Sequence, residues 1–260
     1  MPEPIGDLSS PGQGWDSVTT LVQDRWIDRR PRRPAVANQL RMETQLMPWL
    51  AGRLPLRVPQ PFVINNDPLV VRHELVPGEP IEQLDRAAGR TLAGFLRRLH
   101  DTDVAEATTR GLPTAENSLA DRGNTLDRFH DAVVPLLPAE MRSHGVALLE
   151  ALRSAPAETL VHADLGPEHV LCVSDTVTGV IDFGDAHVGD RAIDLGWALY
   201  DTPPEFAAAV DESYGASEEL RRRALLWHQL GPWYEVVHGQ DQGLPEYVRS
   251  GVQGILRRLR

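Results

Sequence analysis

The chain has 260 residues, 42% of them hydrophobic, which is ordinary for a globular core and enough for one two-lobed enzyme or two small domains. Its formal net charge of −11 falls entirely in the later part: residues 1–80 hold nine Arg and nine Asp plus Glu, whereas residues 81–260 hold 17 Arg and 28 Asp plus Glu. An acidic surface argues against a nucleic-acid partner and suits a cationic small molecule, while the single Cys172 excludes an internal disulfide and any Cys-based zinc site.

The start, MPEPIGDLSS, has neither a basic nor an apolar run, and no apolar stretch approaches the ~18 residues of a membrane span. A cytoplasmic protein with no membrane partner is expected, and the pattern leaves its oligomeric state open. Lysine is absent: all 26 basic residues are arginine.

In chain order, Gly12-Gln13-Gly14 leads into the β-rich run Ser17–Val22. Gln23-Asp24 reads as a turn, and Arg25–Arg29 as the returning strand. Ala35–Leu50 has helical spacing, with Val36, Leu40, Glu43 and Met47 recurring at three- to four-residue steps. The prolines of Pro55–Pro61 impose an extended connection. Phe62–Ile64 and Leu69–Val71 read as strands around the turn Asn65–Pro68. Arg72–Ile81 leads out of this β-rich part. Arg86–Asp101 is an amphipathic helix, residues 102–123 read as a polar surface loop, and Thr125–Val134 and Ala139–Leu152 as helices. Beyond residue 194, Leu195–Tyr200, Pro204–Ser213, Ser217–Val237 and Leu244–Leu259 read as a helical C-terminal part.

Between these helical parts lies Leu160–Leu199, the most informative stretch. It contains His162-x-Asp164-x4-His169 and, thirteen residues later, Asp182-Phe183-Gly184. Val170–Val173 and Thr178–Ile181 read as a hairpin pivoting near Asp175, which would set His169 and Asp182 side by side. One carboxylate to orient a hydroxyl, and further ligands to hold Mg²⁺ on phosphates, is the equipment of phosphoryl transfer.

These residues resemble the aminoglycoside phosphotransferase and choline kinase-like family, its antibiotic-kinase branch in particular. The family's catalytic loop reads approximately H-G-D-x-x-x-x-N and its metal loop I-D-F/W. Here the loops read His162-Ala163-Asp164 to His169 and Ile181-Asp182-Phe183, with Ala in place of Gly and His in place of Asn. Trp26–Pro34 and the run ending Pro77-Gly78-Glu79-Pro80-Ile81 resemble further family segments, as does Gly189–Leu195. The resemblance implies an α+β, bilobal protein-kinase-like fold. A small N-terminal β-rich lobe (1–76) would bind the nucleotide, and a larger helical C-terminal lobe (77–260) would hold catalysis and substrate.

It further implies Asp164 as catalytic base, with His169 and Asp182 on Mg²⁺. Arg29, with Arg30 as competitor, would stand where kinases place a lysine, and Glu43 would pair with it. Ser17 joins this nucleotide set, and the backbone of Glu74 and Val76 would hold the base of ATP or GTP. Asp194 would brace the catalytic loop. The acceptor would be a hydroxyl of a small, cationic molecule: an aminoglycoside, a tuberactinomycin-type peptide such as viomycin or capreomycin, a macrolide or an amino alcohol. Asp185, Glu168, His187 and Glu235, with Trp233 and Tyr234, are candidates to line its pocket. Two alternatives remain at this point: a catalytically silent kinase-like binding module, and a metal-dependent hydrolase built on the His and Asp residues between 162 and 187.

Overall fold

The computed structural model describes residues 17–259, so the expected Gly12-Gln13-Gly14 loop lies outside the described residues. The β-branched run forms β1 (Ser17–Val22), and β2 (Trp26–Pro31) returns after a turn that holds Gln23 and Asp24 at φ 54° and 51°. Helix α1 (Pro34–Ala51) starts on a proline, whose missing N–H costs nothing in a first turn. With β3 (Phe62–Asn66) and β4 (Leu69–Glu74) the strands make an antiparallel sheet in the order β1-β2-β4-β3. The apolar face of α1 packs Val36 and Leu40 on Leu69 and Val71, each buried side chain contributing about 1.5–3 kcal/mol. On this sheet Asp28 is nearly buried, and a two-pronged bond from Arg72 (2.6 and 2.9 Å) holds its carboxyl below the usual range against the effect of burial.

Further strands are β5 (Glu79–Pro80), β6 (Thr159–Val161), β7 (Val170–Val173), β8 (Thr176–Val180) and β9 (His187–Gly189). The expected hairpin is β7–β8, with Ser174 and Asp175 in the left-handed region at its turn. β5 adds to its free edge. Arg57 bonds its N–H to the Thr178 carbonyl (3.0 Å) and its carbonyl to the Val180 N–H (2.9 Å). These backbone bonds join the hairpin to the β-rich part of the chain, whereas the sequence order suggested that the helices carry it. Accordingly the described residues form two compact units. The first holds the chain up to Ile81, Thr109–Leu112 and Pro167–Gly184; the second holds Glu82–Thr108, Pro113–Gly166 and the chain from Asp185 onward. The sequence suggested a boundary after residue 76, whereas compactness puts it after Ile81.

The second unit is helical: α2 (Arg86–His100), α3 (Val104–Thr108), α4 (Ala115–Ala132), α5 (Ala139–Arg153), α6 (Ala192–Tyr200), α7 (Pro204–Tyr214), α8 (Glu218–Gln242) and α9 (Pro245–Arg258). Phe95, Leu99, Phe129, Phe206 and Trp233 are fully buried among them, and β6 pairs antiparallel with β9. Residues 102–123 are not the loop that their polarity suggested. Thr114 accepts a bond from the Asn117 N–H (3.2 Å) and opens α4, and Asp103 does the same for Glu106 (3.1 Å) at α3. Their polar residues are the solvent face of helices that bury Leu126 and Phe129. Among the described residues no helix is long and apolar enough to cross a membrane.

Helix α2 approaches α7 so closely that a Cβ on Gly89 would meet the Phe206 carbonyl at 2.8 Å, while a Cβ on Gly94 of the same helix would meet nothing within 4 Å. Glycine to alanine in a helix interior ordinarily gains about 1 kcal/mol. Gly94→Ala should therefore raise stability by about that amount and Gly89→Ala should lower it, a difference in sign that urea unfolding of the two variants reads directly.

Candidate active site

In the second unit, β6 delivers His162, Ala163 and Asp164 to a sharp turn. The N–H groups of His162 and Ala163 both point at Asp194, at 2.8 Å from Oδ2 and 2.7 Å from Oδ1. Nε2 of the buried His100 lies 3.0 Å from Oδ2, so the carboxylate of Asp194 is held by two backbone groups and an imidazole. Burial opposes its charge, yet the bonds from His100 and His162 together hold the carboxyl below its usual range. Nδ1 of His162 accepts a bond from the Asp164 N–H (3.3 Å), which fixes the turn from within. Ala163 has φ 70°, a conformation that L-residues avoid at a cost of roughly 1–2 kcal/mol, and the brace holds it there.

Asp164 and Asp185 are exposed, and both act on Tyr234 of α8. The Tyr234 phenol is pushed up to about 12, first by loss of solvent around it and then by the negative charge of Asp185, with Asp164 adding to it and Arg122 opposing. The residue as a whole remains 51% exposed, and its ring meets Phe129 edge to face at 4.9 Å. The charges of Asp164 and Asp185 therefore both reach Tyr234. His187 turns Nδ1 onto the Asp185 carbonyl (2.8 Å) from its place in β9. Glu235 lies where its charge reaches Arg258 of α9, and nothing ties it to Asp164 or Asp185 among the described residues.

In the first unit, Arg29 of β2 donates to Glu43 Oε2 of α1 at 2.6 Å and reaches Ser17 Oγ at 3.4 Å. Glu43 is 2% exposed and Arg29 15%, so the pair is nearly withdrawn from solvent and its guanidinium is fixed in direction. Arg30 is more exposed and comes only to 4.0 Å of Asp28. Nε2 of His169 lies 3.7 Å from Oδ2 of Asp182, whose side chain is half exposed. Asp182 itself has φ 65°. Glu168 is exposed on the short turn before β7. Glu74 ends β4 and pairs with Arg25 at 3.1 Å, both largely exposed, and its carbonyl meets His73 Nδ1 at 2.9 Å. Val76 is buried over β8, where a Cβ on Gly179 would meet it at 2.6 Å.

Sequence reasoning missed two members of this group. Gln39 donates from Nε2 to the Gly184 carbonyl and so ties α1 to the end of the Asp182 loop. A Cβ on Gly184 would meet that same amide at 2.5 Å, so a larger residue there would displace the Gln39 amide from its bond. The signal was present, since Gln39 stands four residues before Glu43 and shares its helix face. His73 is buried, which lowers its basicity, and it lies where the charges of Arg29, Asp182 and Asp28 all reach it. Nothing in the sequence pattern distinguishes His73 from another strand residue.

Mg²⁺ ordinarily takes one or two protein carboxylates, the rest of its shell being phosphate oxygen and water. The half-exposed carboxylate of Asp182, with an imidazole nitrogen beside it, fits such an ion. Among the described residues no group of three or more His, Cys, Asp or Glu that could hold a metal ion is found.

A sheet-and-helix unit carrying Arg29–Glu43 and Asp182, and a helical unit carrying the braced loop, define a kinase-like phosphotransferase fold. Residues 7–233 match the phosphotransferase enzyme family, and the chain belongs to that family. Its class is small-molecule O-phosphotransferase, as the motif implied. An aminoglycoside 3'-phosphotransferase of Escherichia coli is 26% identical over 75% of this chain and 76% of its own length. A homoserine kinase of Gluconobacter oxydans (strain 621H) is 30% identical over 71% of this chain and 64% of its own. Among solved structures, the GDP complex of wild-type aminoglycoside 2'-phosphotransferase-IIIa superposes with a TM-score of 0.81 at 24% identity, covering 96% of this chain and 91% of that one. The macrolide 2'-phosphotransferase of Brachybacterium faecium, an apoenzyme, gives 0.72 at 21%, covering 93% and 89%.

Asp194 yields a stability test. Its folded pKa is depressed, so its contribution is present above the unfolded carboxylate pKa of ~3.9 and is lost as pH falls through the folded value. Asp194→Asn leaves one backbone N–H without an acceptor and should cost about 2–4 kcal/mol at pH 7. In urea titrations the gap to wild type should close as the pH is lowered below about 4.

Proposed function

We propose that the protein is a Mg²⁺-dependent kinase that moves the γ-phosphoryl group of ATP or GTP to a hydroxyl of a small cationic molecule, with an aminoglycoside-type antibiotic as the favoured acceptor and resistance as the outcome. One observation carries this reading: the buried Asp194 carboxylate clamps two backbone N–H groups and holds Asp164 at the tip of a strained turn. The identity to an aminoglycoside phosphotransferase over three quarters of the chain supports it. So do the carboxylates Asp164 and Asp185 beside Tyr234, which suit a polycation bearing hydroxyls. Tuberactinomycin-type peptides and macrolides remain within the same acceptor class. The homoserine kinase relative favours a second reading, a small amino alcohol as acceptor.

In this reading Asp164 accepts a hydrogen bond from the acceptor hydroxyl and takes its proton as the oxygen bonds to the γ-phosphorus. The bond to the bridging oxygen breaks in the same step, and ADP or GDP leaves. Arg29, aimed by Glu43, meets the phosphates with a planar guanidinium suited to two-pronged bonds. Glu74 and Val76 would present the backbone to the base. Mg²⁺, held by Asp182 with His169 beside it, supplies neutralisation of the phosphate charge and alignment of the γ-phosphate.

Asp164→Asn keeps the size of the side chain and removes its charge. Steady-state assays should show kcat lowered by about 10²-fold or more, with nucleotide affinity little changed; wild-type turnover would remove Asp164 from the role of base.

The acceptor is tested by a phosphorylation screen of aminoglycosides, tuberactinomycins, macrolides and homoserine, each with ATP and with GTP. Phosphorylation of at least one polycation, ahead of homoserine in kcat/KM, is the expected result. Homoserine ahead of every antibiotic would establish the second reading.

A further inference from the structure

The helical unit contains a cavity lined by none of the residues given a part in the proposed reaction. It has a volume of about 370 Å³ and is lined by Arg97 and Asp101 at the end of α2, Arg191 before α6, Tyr214 and Gly215 at the end of α7, and Arg223 on α8, among others. That volume lies at the low end of ligand-sized cavities, roughly 300–1,000 Å³.

Three arginines face this space in a chain of net charge −11. Arg223 is anchored by the buried Asp190, with bonds of 2.8 and 3.2 Å. Arg97 donates to the Ser213 carbonyl and Arg191 to Thr159 Oγ, each at 3.4 Å, and Arg191 also reaches the Tyr214 phenol. Among the described residues no carboxylate stands within 4.0 Å of either guanidinium. Three guanidinium groups outnumber the one carboxylate of the lining, Asp101, and an oxyanion among them would accept forked hydrogen bonds from the two that no carboxylate holds within 4.0 Å.

The cavity wall is also wired to the catalytic turn. The Tyr214 hydroxyl lies 2.8 Å from His100 Nδ1, and Nε2 of the same ring lies 3.0 Å from Asp194. Asp194 in turn holds the N–H groups of His162 and Ala163. With Nε2–H donating to Asp194, Nδ1 accepts from the Tyr214 hydroxyl, so the four groups form one directional chain. Arg191 acts on the Tyr214 phenol as well. An anion that draws Arg191 into the cavity changes the partner of Tyr214 and so biases the brace.

We propose that this cavity is a regulatory site for a small phosphomonoester, gripped by Arg97, Arg191 and Arg223 and coupled to the catalytic turn through Tyr214, His100 and Asp194. The binding half stands whatever the acceptor proves to be; the coupling half rests on the kinase reading.

The test uses glycerol 3-phosphate as probe and the full-length protein. Calorimetric titration should give the same affinity for wild type and Asp182→Ala, which removes the metal–nucleotide site, and an affinity at least about 10-fold weaker for Arg97→Gln/Arg191→Gln, a loss of some 1.4 kcal/mol. If the double variant fails to fold, Arg97→Gln alone, at an exposed helical position, should weaken binding about 3-fold. No binding to wild type at about 10 mM, or binding untouched by the arginine substitutions, would overturn the site. For coupling, the probe should change the phosphorylation rate of wild type while leaving that of Tyr214→Phe unchanged, although Tyr214→Phe still binds it. A rate response that survives in Tyr214→Phe overturns the coupling while leaving the site intact, and loss of all turnover in wild type would count against the kinase reading alone.

Discussion

The Asp194 carboxylate sits where no water reaches it and is satisfied by two backbone N–H groups and one imidazole. A buried ion costs several kcal/mol unless its lone pairs are taken up, so the charge and the shape of the 162–164 turn depend on each other. The turn bends through Ala163 in the left-handed region, which alanine does not choose, and the carboxylate is what stabilises the bend. Asp194 lies in the first turn of α6, where unpaired N–H groups favour a negative charge. Helix, carboxylate and turn therefore form one arrangement, and Asp164 projects from it.

The parts that the sequence made legible are those governed by local rules. The hairpin after His169 announced itself by β-branched residues around Ser174-Asp175, and both residues do take up φ near 50–60°. The Arg29–Glu43 ion pair was readable because β2 and α1 are consecutive and Glu43 stands on the apolar face of the helix. Polarity misled at residues 102–123, where capping by Thr114 and Asp103 overrode a composition that reads as loop. β9 was missed because a three-residue strand carries no periodicity; it exists through pairing with β6. The contact that extends the Asp194 brace left no trace in the sequence. Tyr214 meets His100 across 114 positions, and only the packing of α7 on α2 unites them. The expected pocket residues divide in the same way: the charge of Asp185 reaches Tyr234, whereas that of Glu235, one residue along the helix, reaches Arg258.

The chain crosses between the two compact units five times, and two of these crossings, between Gly166 and Pro167 and between Gly184 and Asp185, follow within three residues of a non-glycine residue held at positive φ, Ala163 at 70° and Asp182 at 65°. Left-handed backbone at such positions persists only where the surroundings over-determine it. Around Ala163 that is the Asp194 brace; at Asp182 the following carbonyl, that of Gly184, is held by Gln39.

The guanidinium that Glu43 fixes has a chemical corollary. Reagents that map kinases by acylating an amine beside the nucleotide phosphates depend on a lysine there. This chain has none at any position, and a guanidinium is a poor nucleophile beside an amine. Acyl-phosphate nucleotide probes would pass over it silently, so surveys built on that chemistry would count this protein as absent from a lysate in which it is abundant. Dicarbonyl reagents, which condense with guanidinium groups, are the chemistry that would see it.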